Sequence, residues 1–328
     1  MKAGRASVLL GLLENAPLIV FAGVIATFTA QSSRFLTLAN MVNILIQSSS
    51  VVIVAIGMTF VLVTGGIDLS VGAIMFLSAA VAGKLIIWGW SVWIAFGVIV
   101  AVGVLYGVLN GLLITRLRIL PFIVTLSTLF AGRGLSLLIT QTRAMNLPGL
   151  TDIGSAKILA VPFPVWVFVG VLAVAYVVLN RTGFGRHVYA VGNDLEGAKK
   201  AGISTGQVLF VVYAVSGLCA AVGGLVLLSQ LGAVSPKFGE QREFAAIAAA
   251  VLGGTSLFGG KGNVFPGTVL GAVLIQTVEN GLVIVNADPY IYPLITSSII
   301  FLAVLVDSLR HIQLQRLKRR KIRAETGG

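Results

Sequence analysis

Charge is scarce in this chain. Of its 328 residues only 10% are charged, and just 11 are Asp or Glu. A soluble domain carries about 25% charged residues, so a free-standing soluble domain is excluded. With 57% hydrophobic residues and a mean hydropathy of +1.01, the chain belongs in a bilayer. Cysteine is almost absent. Cys219 stands alone in an apolar run, which excludes an intrachain disulfide and a thiolate metal cluster and leaves it a small packing residue. The two histidines, His187 and His311, lie far apart, each beside an arginine, so no metal site is expected. No Ser/His/Asp or paired-carboxylate arrangement stands out, so no catalytic residue is expected. A phosphate-binding Gly-x-x-x-x-Gly-Lys-Ser/Thr loop is also missing. Gly259-Gly260-Lys261-Gly262 has the wrong spacing before the lysine and no hydroxyl after it, so the chain should not bind ATP itself.

What charge there is leans basic, at a formal +12. Nucleic acid is a poor explanation, because the basic residues sit at the ends of apolar runs and in the tail, as the positive-inside rule describes. A membrane helix needs about 20 mostly apolar residues, rising about 1.5 Å each through roughly 30 Å of hydrocarbon. About ten segments are candidates: 16–30, 41–63, 71–87, 92–114, 121–140, 163–180, 207–231, 243–256, 264–285 and 290–308. The first is marginal and the eighth too short to cross comfortably. Lys2 and Arg5 before the first run resemble a signal peptide, but Glu14 interrupts it and a retained first helix is expected. With both termini cytoplasmic, only Arg34, Arg143, Lys157, Lys237 and Arg242 fall outside. Arg116, Arg118, Arg181, Arg186, Lys199, Lys200, Lys261 and the tail cations then fall inside, and Lys84 and Arg133 lie within segments.

Three stretches interrupt this apolar pattern. The first is Thr64-Gly65-Gly66-Ile67-Asp68-Leu69-Ser70-Val71-Gly72, between two apolar runs. An Asp there costs about 2.5–3.5 kcal/mol at a bilayer centre, so it is expected at an interface, a helix break or a water-filled path. Gly65 and Gly66 supply backbone freedom, and Asp68 and Ser70 are N-cap types. The stretch reads as a break between helices, or as an ordinary interfacial turn. The second is a polar loop at 181–206, expected in the cytoplasm. Asn193 or Asp194 would cap a short helix with Glu196 early and Lys199-Lys200 late, and Leu195, Ala198 and Gly202 would form a shallow apolar face. Such a helix could dock in another protein's groove or rest on headgroups. The third, about 141–162, is expected outside, either touching a partner or simply connecting helices.

A weak internal repeat is visible. Gly65-Gly66 through Gly72 is echoed by Gly253-Gly254-Thr255-Ser256-Leu257-Phe258-Gly259-Gly260, and Asn110-Gly111 by Asn280-Gly281. Gly-interrupted segments in two halves point to a transport site between them, although 39 glycines make chance matches easy. Asn43, Gln47, Asn110, Thr125, Gln276 and Asn280 are polar residues at membrane level. They suit a path for a neutral polyol, and suit helix–helix hydrogen bonding equally well.

At these residues the chain resembles the membrane permeases of ribose-type bacterial ABC importers. The resemblance rests on Gly65 to Gly72, Arg181-Thr182-Gly183-Phe184-Gly185-Arg186, Ala201-Gly202-Ile203, Val251-Leu252-Gly253-Gly254-Thr255-Ser256 and Leu302-Ala303-Val304-Leu305-Val306-Asp307. It implies an all-α integral membrane protein of the bacterial inner membrane, forming one transmembrane permease domain over 1–328 with a basic cytoplasmic tail at 310–328. It also implies a second, identical or different permease, an extracytoplasmic sugar-binding protein, and a cytosolic ATPase that uses ATP and Mg. The 181–206 loop, with Gly192, Asn193, Glu196, Ala198, Ala201 and Gly202, would meet that ATPase. Gly65, Gly66, Asp68, Ser70, Gly72, Gly253 and Gly254 would gate. Two departures stand out. The family usually has two glycines before the loop Asn, where only Gly192 precedes Asn193, and Glu243-Phe244-Ala245 replaces its Glu-Leu-Asp. Rival readings are an ion-coupled carrier, which would use Asp68 and Glu279 as its few acidic relays, and an ABC permease for a branched-chain amino acid.

Overall fold

Long apolar runs with few breakers form helices because lipid offers the backbone no alternative hydrogen-bond partner. The computed structural model describes residues 16–299 except 148, together with 301, 302, 304, 305 and 308. The expected amino-terminal cations, Asp307 and the basic tail therefore lie outside the described residues. In chain order come α1 (Ala16–Gln31), α2 (Leu38–Val63), α3 (Val71–Ile87), α4 (Val92–Arg116) and α5 (Pro121–Thr140). They are followed by α6 (Leu150–Ser155), α7 (Phe163–Arg181), α8 (Gly183–Asn193), α9 (Leu195–Lys200), α10 (Thr205–Leu231), α11 (Arg242–Leu252) and α12 (Val269–Ile284), the last entered through a π turn at Val264–Thr268. Residues 292–299 are helical as well.

Six helices among the described residues are long and apolar enough to cross a membrane: α2, α4, α5, α7, α10 and α12 with its π turn. α1 and α3 are shorter apolar helices. The expected eighth segment, 243–256, stops as a helix at Leu252, and its 11 residues are too few to cross at about 1.5 Å each.

The core lies where α2, α3, α10 and α4 meet. Every residue of α2 from Ser48 to Val63 is buried, and so is every residue of α3 from Val71 to Ala80. α7, by contrast, buries only Pro164, Ala175 and Leu179, leaving an apolar outer face suited to lipid. α4 and α10 approach until backbones touch. A Cβ on Gly103 would fall 2.6 Å from the Gly217 carbonyl oxygen, and one on Gly217 2.8 Å from the Gly107 Cα. This is small-residue packing at four-residue spacing, the arrangement by which membrane helices gain dispersion contacts without help from water. Gly57 of α2 makes room for Cys219 in the same way, as a Cβ there would lie 2.7 Å from the cysteine Cβ. Cys219 is buried.

Two expected loops are structured. The 141–162 stretch contains α6 and the strands β1 (Met145–Asn146), β2 (Lys157–Ile158) and β3 (Val161–Pro162). β2 pairs with β3 in a small hairpin, and β1 pairs with β4 (Ala233–Val234) beyond α10. Leu147 donates its N–H to the Gly232 carbonyl at 2.8 Å, so the stretch is fastened to the end of α10. The polar 181–206 stretch is mostly helix rather than loop. Thr182 caps α8, its hydroxyl accepting from the Gly185 N–H at 3.2 Å, and the inward-facing Val188 and Val191 are fully or nearly fully buried.

Candidate translocation site and its breaks

The chain reverses between α2 and α3 at a glycine-dependent turn. Gly65 takes φ +77°, a left-handed conformation that side chains disfavour. The chain then delivers Asp68 into the protein interior, where it is fully buried. One carboxylate oxygen accepts the Ser70 N–H at 2.9 Å and the Ser70 hydroxyl at 2.6 Å. The other accepts the Ser216 hydroxyl of α10 at 2.7 Å. The Ser70 oxygen in turn accepts from the Asn110 side-chain amide of α4 at 2.8 Å. Asp68 therefore ties the break to two other helices, and a buried carboxylate needs such donors to be tolerated. Asp68 accepts a backbone N–H at the start of α3 as expected, and the capping role is corrected for Ser70 alone. Ser70 occupies the N-cap position of α3 but makes no capping bond, because its hydroxyl is committed to Asp68 and Asn110.

Next to this knot the second broken segment arrives. A Cβ on Gly72 would overlap both the Gly239 carbonyl oxygen and a Glu243 carboxylate oxygen, so only glycine lets the starts of α3 and α11 meet. Glu243 Oε2 and Arg133 Nη2 are buried without a hydrogen-bond partner among the described residues. The Arg133 guanidinium lies over the Phe76 ring at 6.0 Å. The echoed glycines are in place too: Gly253 ends α11 and Gly254 takes φ +88°.

A cavity of about 1420 Å³ lies between the beginning of α2, the ends of α10 and α12, the start of α11 and the helical stretch 292–297 with Phe301 and Val304. Asn43, Gln47, Gln276 and Asn280 line it, as do Asn40, Gln230 and Glu279. The amides form a ladder. Gln276 donates to Gln47 at 3.0 Å, Gln47 donates to Asn43 at 3.2 Å, and Asn40 donates to Asn280 at 3.0 Å. Lys157, Glu240, Gln241 and Arg242 lie around the same cavity. Asn110 and Thr125, expected in the path, are elsewhere. Asn110 belongs to the Asp68 knot, and the Thr125 hydroxyl bonds back to the Pro121 carbonyl at 2.9 Å, an intrahelical alternative open to any buried threonine. Asn40 and Gln230 went unread in the sequence, since one lies at a helix start and the other in an apolar run.

The chain matches the family model described as branched-chain amino acid transport system / permease component, over residues 40–309. It belongs to this permease family. Its relatives are permeases of ribose-type importers. Ribose import permease protein RbsC of Escherichia coli (strain K12) is 35% identical over 304 residues, covering 90% of this chain and 94% of its own. The protein of that name from Bacillus subtilis (strain 168) is 39% identical over 277 residues, 83% and 86% of the two chains. Fructose import permease protein FrcC of Rhizobium meliloti is 37% identical over 303 residues, 89% and 84%. No solved structure matches the chain. The chain is therefore a multi-pass membrane permease.

In the 181–206 stretch the expected short helix is present as α9, but two of its details differ. Asn193 ends α8 rather than starting a helix, its amide donating back to the Tyr189 carbonyl at 2.9 Å. Asp194 stands at the N-cap of α9 without a side-chain capping bond. Ala198 faces the protein interior at 5% exposure, whereas Leu195 is 47% exposed and Gly202 is exposed, so the shallow apolar face is split. Gly202, at φ +83°, closes α9: its N–H donates to Lys199, and the Ile203 N–H to Ala198, at 3.1 and 3.0 Å. Ala201, just before it, is the C-cap residue and is exposed.

Proposed function

We propose that this chain forms the translocation path of an ATP-driven importer for a monosaccharide or similar polyol. The observation that carries this reading is the ladder of neutral amides along the cavity, set in a chain whose relatives are named as ribose and fructose import permeases. Amides offer a donor and an acceptor each, which suits hydroxyls, and desolvating them costs far less than desolvating a charge. The path residues are Asn43, Gln47, Gln276 and Asn280, with Asn40 and Gln230 added. Asp68, with Gly65, Gly66, Ser70, Gly72, Gly253 and Gly254, holds and releases the two broken segments. α8 and α9, from Gly192 to Gly202, meet a cytosolic ATPase that binds ATP and Mg, and residues 141–162 and 232–241 face an extracytoplasmic sugar-binding protein. A second permease completes the path. About ten crossings of the bacterial inner membrane put both termini, and the 310–328 tail, in the cytoplasm.

The test is uptake into vesicles holding the chain with its co-purified partners. Ribose should enter only with ATP and a binding protein, and excess leucine should not compete. Uptake on an ion gradient without ATP would sink the reading and promote an ion-coupled carrier, which Glu279 in the cavity wall favours. Competition by leucine would instead favour an amino-acid permease.

A further inference from the structure

The end of α8 meets both glycine breaks at one place. Gly192 lies against the Val63 carbonyl at the end of α2 and against the Gly260 N–H. A Cβ on Gly192 would overlap the first and come 2.7 Å from the second. Gly260 itself donates to the Val63 carbonyl at 2.9 Å, joining the two breaks directly. A Cβ on Gly259 would lie 2.7 Å from the Gly192 carbonyl oxygen and 3.1 Å from the Gly65 nitrogen. One side chain bolts the joint. The Tyr189 hydroxyl donates to the Gly262 carbonyl at 2.7 Å, across 73 residues of sequence. Burial pushes the Tyr189 phenol above its ordinary range, so it remains a neutral donor. The remaining contacts in the joint are largely backbone on backbone. The Asn193 and Thr255 side chains pack into the same joint, and packed contacts of this kind pass displacement on rather than deform gradually.

We infer that Tyr189 is a positioning residue for transport. Its bond to Gly262, with Gly192 seated on Val63 and Gly260, makes the α8–α9 unit and the two glycine breaks move as one body. A push on the exposed side of α9 then reaches both broken segments in a single step. This inference rests on the ATPase-docking role proposed above for α8 and α9.

The experiment uses the complete complex in vesicles and measures ATPase recovery, basal ATP hydrolysis and sugar uptake per ATP hydrolysed. Tyr189→Phe keeps the ring and loses only the hydroxyl. Recovery and basal hydrolysis should stay at the parental level, while uptake per ATP falls by at least about 5-fold, the low end of typical coupling between sites. Gly192→Ala, whose methyl would meet the Val63 carbonyl, should also lower uptake per ATP hydrolysed. Unchanged uptake per ATP in both variants overturns the inference, and so does loss of ATPase recovery in Tyr189→Phe, which would make Tyr189 part of the docking surface. A second readout needs no joint variant: spin labels at Lys199→Cys and Lys261→Cys should keep one separation with and without ATP. A changing separation overturns the inference even if the variants fail to fold. Failure of the parental chain to recover any ATPase would instead count against the docking reading.

Discussion

Asp68 sits where three donors converge, and each lost bond has a different consequence. Asp68→Ala strips the acceptor from two buried hydroxyls and the Ser70 N–H, at about 1–3 kcal/mol for each buried group left unpaired. It is expected to lower the melting temperature in detergent and abolish uptake. Asp68→Asn keeps one acceptor oxygen and should fold, with reduced uptake. Both variants transporting at the parental rate would remove Asp68 from gating. Gly72→Ala should fail more severely than either, because its methyl meets Gly239 and Glu243 at once; parental yield and melting temperature would contradict that. Asp68 was legible in the sequence because a lone charge in apolar surroundings has few places to go. Its partner Ser216 was not, since a serine in an apolar run gives no sign of a bond reaching 148 residues away.

Helices α8 and α9 present Leu195, Glu196, Lys199 and Lys200 outward while Ala198 faces in. A bulky residue at Ala198 would disrupt the chain's own packing. Leu195→Trp and Glu196→Trp are the cleaner probes of docking. Each should leave the yield of the chain unchanged and cut co-purified ATPase by at least about tenfold, the effect of about 1.4 kcal/mol at an interface; full recovery with both would move docking elsewhere. In the membrane part, Gly107→Leu should separate α4 from α10 and lower the melting temperature sharply, with unchanged melting as the contrary outcome. Most helix ends were legible, because glycine, proline and polar clusters punctuate the apolar runs. Two kinds of element were not. In the 181–206 stretch α9 was legible from Glu196 and Lys199-Lys200, whereas α8 reads as loop by polarity although Val188 and Val191 give it an inward stripe. The Gly103, Gly107 and Gly217 contact surface is lost among 39 glycines until the facing helix is known.

At the scale of the whole molecule, the cavity lies at the beginning of α2 with Lys157 and Arg242 in its lining, while the Tyr189 joint lies by the other end of α2. A path fed by a separate binding protein gains nothing from holding its cargo tightly, since residence time follows the off-rate. Ribose binding by the isolated permease, measured by calorimetry, should be too weak to detect at micromolar concentrations. Tight, selective binding would contradict a low-affinity passage. Gln47→Leu with Gln276→Leu removes the central rung of the ladder and should slow uptake without changing basal ATP hydrolysis. The path itself was half legible. Polar residues at membrane level are few enough to name, but only packing separates those lining a cavity from Asn110 and Thr125, which satisfy the interior. Cys219 has a practical consequence at this scale. It is the one thiol in the chain and is sealed against Gly57. The native permease is thus nearly silent to water-soluble maleimides, and any engineered cysteine, at Lys157 or Lys199 for example, reports alone on the face of the membrane it occupies.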